Sequence, residues 1–338
     1  ISALTILERV SRRAGAELSG EKGVSARLLR TTGEIYFNLG LVRQAERDLR
    51  ASIALEPPKS EGRTRALLKL ANIAYLRGDI PASAGSIDAA ARSYDIRAPW
   101  AKAVEAQITE RRAMLEVLEG NYAKAALELD KAAILYKNLE GDYRQDLGRV
   151  WLNQAQSLVR LRRFAEADKL FAMAGAIYAA KFGTNHVLTA DAYRNEAVAD
   201  FEAGRLAEAE REIQRALAVY DRVLEGDHPT LAAALLMIGR VRSARGNGSG
   251  ALVALDKARG IFERLYGSDN AAVGDADFYA AEAESVRGNT PAALRRLANT
   301  QSIYDRAYGP DDPDQAELLI LRSRILRSAN RLAEARRD

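Results

Sequence analysis

Residues 118–136 read LEGNYAKAALELDKAAILY, and variants of that phrase return along the chain. They are LRRFAEADKLFAMAGAIY (161–178), EAGRLAEAEREIQRALAVY (202–220), ARGNGSGALVALDKARGIF (244–262) and VRGNTPAALRRLANTQSIY (286–304). A turn position falls at Gly120, Arg162, Gly204, Gly246, Gly288 and Asn330, each 42 residues beyond the last. Five residues after each stands a small residue: Ala125, Ala167, Ala209, Ala251, Ala293 and Ala335. Gly40 with Ala45 and Gly78 with Ser83 carry the register upstream, 38 residues apart, so eight registers are visible. A period of this length marks stacked supersecondary units, each of which buries its apolar face only against its neighbours.

Within a register the residue types describe two closely packed helices. Leu29, Gly33, Tyr36, Ala45, Leu49 and Pro57 fall at positions 4, 8, 11, 20, 24 and 32 of the first register, and Trp151, Ala155, Ala167 and Phe171 at positions 4, 8, 20 and 24 of the fourth. Small residues at 8 and 20 let the helix axes approach, larger ones at 4 and 24 fill the space beside them, and glycine at 15 takes a left-handed turn. The phrase resembles the tetratricopeptide pattern W-x2-L-G-x2-Y, A-x3-F, P. That resemblance implies an all-α tetratricopeptide-repeat superhelical solenoid of about eight helix pairs with an N-terminal capping helix. Residues 1–24 read as the capping helix and a linker, and 25–338 as the array. Its repeats lie near 25–58, 64–97, 104–138, 148–180, 188–222, 230–264, 272–306 and, incomplete, 314–338.

The period exceeds that of the plain repeat, and the surplus lies in YAAKFGTNHVLTA (178–190), YDRVLEGDHPTLA (220–232), FERLYGSDNAAVG (262–274) and YDRAYGPDDPDQA (304–316). These linkers resemble those of kinesin-light-chain-type repeats. His186 and His228, the two histidines of the chain, hold the same place in consecutive repeats, followed there by Asn270 and Asp312. A place that accepts His, His, Asn and Asp just before a helix reads as a cap. Pro229 and Pro313 then stand in the first turn, where a missing N–H costs nothing. Neither histidine has a clustered partner at metal-ligand spacing. GNGSG (246–250) lacks the preceding strand and following lysine of a phosphate loop. PDDPD (310–314) is too short for a calcium loop and, like DAD (275–277), reads as acidic residues at a helix start. With no nucleophile–base set and no paired carboxylates, no catalytic residue, metal or cofactor is expected. Tyr94, Tyr136, Tyr178, Tyr220 and Tyr304 recur in register and read as packing residues.

Composition narrows the partners. The 50 basic and 46 acidic residues are interspersed, so the net +4 forms no basic stripe and nucleic acid is not expected as a partner. The absence of cysteine excludes disulfides, thiolate metal sites and a cysteine nucleophile. The longest apolar run, LAAALLMIG (231–239), is far below the ~20 residues that cross a bilayer, so membrane insertion by this chain is not expected. A start at Ile1 reads as part of a longer polypeptide. The eighth repeat stops within its second helix, which predicts continuation, fraying or a homo-oligomer contact there.

In a solenoid of helix pairs the first helix of each pair lines the concave side, through positions 2, 5, 9 and 12. Arg149 falls at position 2; Leu68, Leu152 and Arg194 at position 5; Asn72, Met114, Gln156, Val198 and Arg240 at position 9; Tyr75, Val117, Val159 and Phe201 at position 12. An apolar stripe with amide and arginine donors beside it is expected, and such a stripe marks a binding surface. The arginines imply a protein or peptide segment that mixes apolar and acidic residues. Filling of the groove by a terminal helix, a neighbouring molecule or superhelical closure is the alternative. Arg30 and Glu34 stand where clamps for a C-terminal carboxylate carry lysine and asparagine, so that clamp is not expected. The asparagine pair of kinesin-light-chain-type repeats survives only in part, at Asn153 and Asn195.

Residues 3–18 and 26–49 resemble, in order and spacing, the start of the repeat region in bacterial transmembrane serine/threonine protein kinases with a C-terminal tetratricopeptide array. The resemblance implies a non-catalytic sensory or docking region, periplasmic in location, with the cytoplasm as the alternative. Similar arrays are joined to transcription regulators and signalling ATPases, and recognition of a small ligand or envelope polymer in the same groove is a further alternative.

Overall fold

The computed structural model describes residues 3–16, 21–307 and 313–336, and every regular element among them is a helix. The chain divides into two compact units, Ile1–Leu170 and Phe171–Asp338. The first holds α1 (Ala3–Ala16), α2 (Lys22–Asn38), α3 (Val42–Leu55), α4 (Glu61–Leu76), α5 (Ile80–Arg92), α6 (Ala101–Leu118), α7 (Tyr122–Lys137) and α8 (Arg144–Arg160). Helix α9 (Phe164–Phe182) contains the division. The second holds α10 (Val187–Glu202), α11 (Leu206–Val223), α12 (Pro229–Ala244), α13 (Gly248–Tyr266), α14 (Ala271–Val286), α15 (Thr290–Ala307), α16 (Pro313–Ser328) and α17 (Leu332–Ala335). The fold is all-α, of tetratricopeptide type, with α1 as the N-terminal capping helix.

The turns form where the 42-residue step puts them. Gly120, Gly204, Gly246 and Gly288 have φ between +75° and +81°, and Arg162 and Asn330 adopt the same left-handed turn at φ 58° without being glycine. Each turn reverses the chain so that the two helices of a pair pack along their length. The close approach depends on position 8. A Cβ added at Gly33 would lie 2.9 Å from Leu49 Cγ, and one added at Gly239 would lie 2.4 Å from Leu255 Cγ. Opposite them Ala45 and Ala251 are fully buried.

The linkers end in caps. Leu188 N–H donates to His186 Nδ1 at 3.2 Å, Thr230 N–H to His228 Nδ1 at 3.1 Å, and Ala272 N–H to Asn270 Oδ1 at 3.0 Å. Both histidines are therefore helix-starting residues, and His186 also stacks on Phe182 with ring centroids 4.5 Å apart. Asp312, at the equivalent place, lies outside the described residues. Tyr136, Tyr178, Tyr220 and Tyr304 are buried. Three of them also hold an acid on the first helix of their own pair: Tyr136 O–H donates to Glu110 at 3.4 Å, Tyr220 to Asp191 at 2.5 Å and Tyr304 to Asp275 at 2.6 Å. Burial and the facing carboxylate push the Tyr220 hydroxyl far above the ordinary tyrosine value.

Helix α1 is tied on by polar bonds as well as by packing. Ser11 O–H donates to the buried Asp48 carboxylate at 2.9 Å, which also accepts from Thr32 at 2.7 Å and Arg47 at 2.9 Å. At the other end Leu319 and Ile320 stay exposed on α16, since no further helix pair covers them among the described residues.

Candidate partner-binding surface

In the first unit α2 touches α4, α4 touches α6 and α6 touches α8, so the first helices form one layer; in the second unit α10, α12, α14 and α16 do the same. Stacking that layer closes part of the expected stripe. Leu68, Leu152 and Val159 are only 5%, 7% and 7% exposed. Leu68 packs with Val104 and Ile108 of α6, so an inner-face position here is taken up by packing between successive helix pairs. Tyr75 is half-buried against the core of α4–α6, Val117 is half-buried and Gln156 is exposed. An open, continuous apolar stripe is therefore not what this unit presents.

It presents a cavity of about 250 Å³ instead. Four expected residues, Asn72, Tyr75, Met114 and Arg149, line it together with Ser83, Arg111 and Asn153. Arg149 is not available as a free donor: it bridges Glu110, which is fully buried, and Asp146 at 2.7 Å. Arg111 differs. Its Nε is closed off from solvent and has no acceptor, and no ion pair reaches its guanidinium among the described residues, although part of the side chain is reachable through the cavity mouth. Burial pushes Arg111 below the ordinary arginine value, against the pull of Tyr136, Asp146 and Tyr75. Beside it on α4, Lys69 lies over the Phe37 ring at 4.8 Å. Burial lowers Lys69 too, Glu34 opposes the shift, and the Arg111 and Arg149 charges add to it. The Asn72 and Asn153 carboxamides and the Tyr75 hydroxyl also make no hydrogen bond to protein among the described residues, whereas Ser83 O–H is bound to Ala71 O at 2.9 Å.

The second unit is arranged otherwise. Arg194 lies 3.8 Å from Asp191, an internal acid. Val198 and Phe201 are half-buried against the unit's core. Arg240 stands between two aromatic faces, 5.0 Å from the Phe201 ring centroid and 4.6 Å from that of Tyr279, with no carboxylate in ion-pair range among the described residues. Arginines 149 and 194 were expected to meet acidic side chains of a partner; both meet acids of their own chain. The acids come from the preceding first helix, Glu110 on α6, and from the same helix, Asp191 on α10.

Arg111 and Tyr279 carry this geometry and do not fall at the four inner-face positions. Arg111 is one residue beyond position 5, and only its lack of an acid at helical spacing on α6 sets it apart in the sequence. Among the described residues no group of three or more His, Cys, Asp or Glu side chains could hold a metal, and no helix is long and apolar enough to cross a membrane.

The family described as tetratricopeptide repeat matches residues 146–211 and 188–264. No curated protein matches the chain. Among solved structures the chain is similar to the repeats of a putative kinesin light chain from Podosopora anserina, at 17% identity, covering 60% of this chain and 96% of that one with a TM-score of 0.52. It is also similar to RapI without ligand, at 12% identity over 84% of this chain and 99% of that one, TM-score 0.61. A Rap protein complexed with Competence and Sporulation Factor matches at 15% identity over 92% of this chain and 88% of that one, TM-score 0.61. At these identities the likeness is one of fold. The chain is thus built of tetratricopeptide-type helix pairs, similar in fold to kinesin-light-chain-type repeats.

Proposed function

We propose that the inner face of this non-catalytic scaffold holds a segment of a partner protein that mixes apolar and acidic residues. The observation that carries the reading is the cavity of the first unit, where Asn72, Tyr75, Met114 and Arg149 converge with the unpaired Arg111. Leu68, Val117, Leu152 and Val159 back that surface, Gln156 flanks it, and Arg194, Val198, Phe201 and Arg240 form the corresponding surface of the second unit. A Rap protein of the same fold was solved in complex with a separate factor, which supports a binding role for stacked helix pairs. The cavity is smaller than the roughly 300–1,000 Å³ of small-molecule sites, so a small-ligand receptor is the weaker reading.

Panning a displayed library of random 12-residue peptides against the chain tests this. The expected result is a consensus with acidic and apolar positions whose binding falls at least about 10-fold in Met114→Arg and is unchanged in Arg43→Ala, an exposed α3 residue. No consensus, or binding indifferent to Met114→Arg, rejects the reading. The finer proposal, that this array is the periplasmic docking region of a serine/threonine kinase, rests on residues 3–18 and 26–49. A full reading frame without a kinase domain upstream of Ile1 rejects it.

A further inference from the structure

We propose that the cavity between α4, α6 and α8 is a receptor for one carboxylate, the side chain of an aspartate or glutamate in the bound segment, with Arg111 as its principal ligand. The inference rests on the partner-binding reading and adds the chemistry of the central contact. Arg111 is the starting point. A guanidinium whose Nε–H is held away from water without an acceptor loses part of its hydration and gains nothing in return, a cost that folded proteins ordinarily remove by pairing. Here the half-buried Arg149 is paired with Glu110 and Asp146, while Arg111, in the same cavity wall, has no acceptor.

The other unfilled donors point the same way. The Asn72 and Asn153 amides and the Tyr75 hydroxyl open on the same cavity without protein partners. Together with Arg111 they supply N–H and O–H donors from three successive first helices, whereas the two carboxylates nearby, Glu110 and Asp146, are already engaged by Arg149. The formal charges of Arg111, Arg149, Glu110 and Asp146 cancel, but both acids are held by Arg149, and Arg111 is the one of the four without an ion-pair partner among the described residues. A carboxylate entering there would accept a two-pronged bond from the planar guanidinium and satisfy the flanking amides at once. Met114 and the Tyr75 ring are placed to contact the aliphatic part of the same side chain. The volume, about 250 Å³, suits one side chain rather than a folded element.

The lack of an acceptor for Arg111 makes a distinctive prediction about stability. Arg111→Met removes a half-buried charge that has no acceptor while keeping volume, so the free protein should melt higher by about 2 °C or more while acidic ligand is lost. Asn72→Asp supplies the missing acid within the chain, and should likewise raise the melting temperature and block the site. The binding assay uses N-acetyl-glutamate α-amide, N-acetyl-glutamine amide and inorganic phosphate, followed through the Arg111 Nε–H resonance. A saturable shift with the glutamate compound, at least about 10-fold weaker with the glutamine compound and absent from Asn72→Asp, supports the proposal. Overturning results are a lower melting temperature in both variants, equal response to the two amides, or tighter binding of phosphate than of the glutamate compound. If selected peptides bind the inner face but tolerate Arg111→Met, this proposal fails while the docking role stands; absence of any peptide consensus instead removes the docking role.

Discussion

In the second unit Asp277 is buried on α14 and collects three donors: Arg259 Nε at 3.1 Å, Arg296 Nη1 at 2.9 Å and the Asn299 amide at 2.5 Å. In the first unit Arg111 sits on α6 with its Nε equally closed to water and collects nothing. Both belong to the same helix-pair template, in which positions 4, 8, 20 and 24 fix the packing and leave the remaining positions free to carry charge. In one unit that freedom places an acid among the arginines. In the other it leaves a cation beside an open cavity. Arg240 is a third case, held by the Phe201 and Tyr279 rings rather than by an acid. The contrast separates charges that belong to the stack from charges held against the interest of the stack. Sites of the second kind are where local rules are broken for binding.

The largest effect should come from removing the shared acid. Asp277→Ala removes three charge-assisted hydrogen bonds at once, leaving Arg259 to Glu263 and Arg296 to Asp256, and is expected to cost about 3 kcal/mol, read as a lower urea midpoint and faster amide exchange in α13–α15. A cost below about 1 kcal/mol would dissolve the contrast with Arg111. Next comes Gly239→Ala, which forces a methyl onto Leu255 and should cost about 2 kcal/mol. The same change at Gly33, where the nearest side-chain atom is farther off, should cost less, so equal costs would show that the two units do not differ in closeness of packing. Arg240→Ala should cost about 1 kcal/mol through two lost ring contacts, with Arg240→Lys recovering part of it. The smallest effect is at the turns. Arg162→Gly in the first unit relieves a left-handed backbone that Gly204 in the second already adopts freely, and should gain about 0.5 kcal/mol in thermal unfolding.

Most of the architecture could be read from the 42-residue period, because each unit of the stack repeats the same local demands. Arg162 shows how far that reaches: nothing in its residue type asks for positive φ, and only its register put it at the turn, whereas Asn330 is of a type that adopts this conformation readily. His186 and His228 were legible for the same reason, since Asn270 at the same place is an ordinary cap. The candidate site was legible only in part. Asn72, Tyr75, Met114 and Arg149 fell at inner-face positions and do line one cavity, but Leu68, Leu152 and Val159 are buried. A helical register gives the direction of a side chain from its own axis. It does not say how near the next axis lies, and that distance decides between groove and core.

The sequence by itself determined the helix pairs, their turns, their caps and the small-residue contacts at Gly33 and Gly239, because all of these are set by residues near one another along the chain or within one pair. Only the tertiary structure decided which charges are compensated. Glu110 and Arg149 are 39 residues apart and belong to different pairs. Asp277 meets Arg259 from the pair before it and Arg296 from its own. Whether a cation finds an acid depends on the offset between stacked helices, a quantity no single repeat encodes. Arg111 is left without one by that offset, and the donors around the cavity are left open with it.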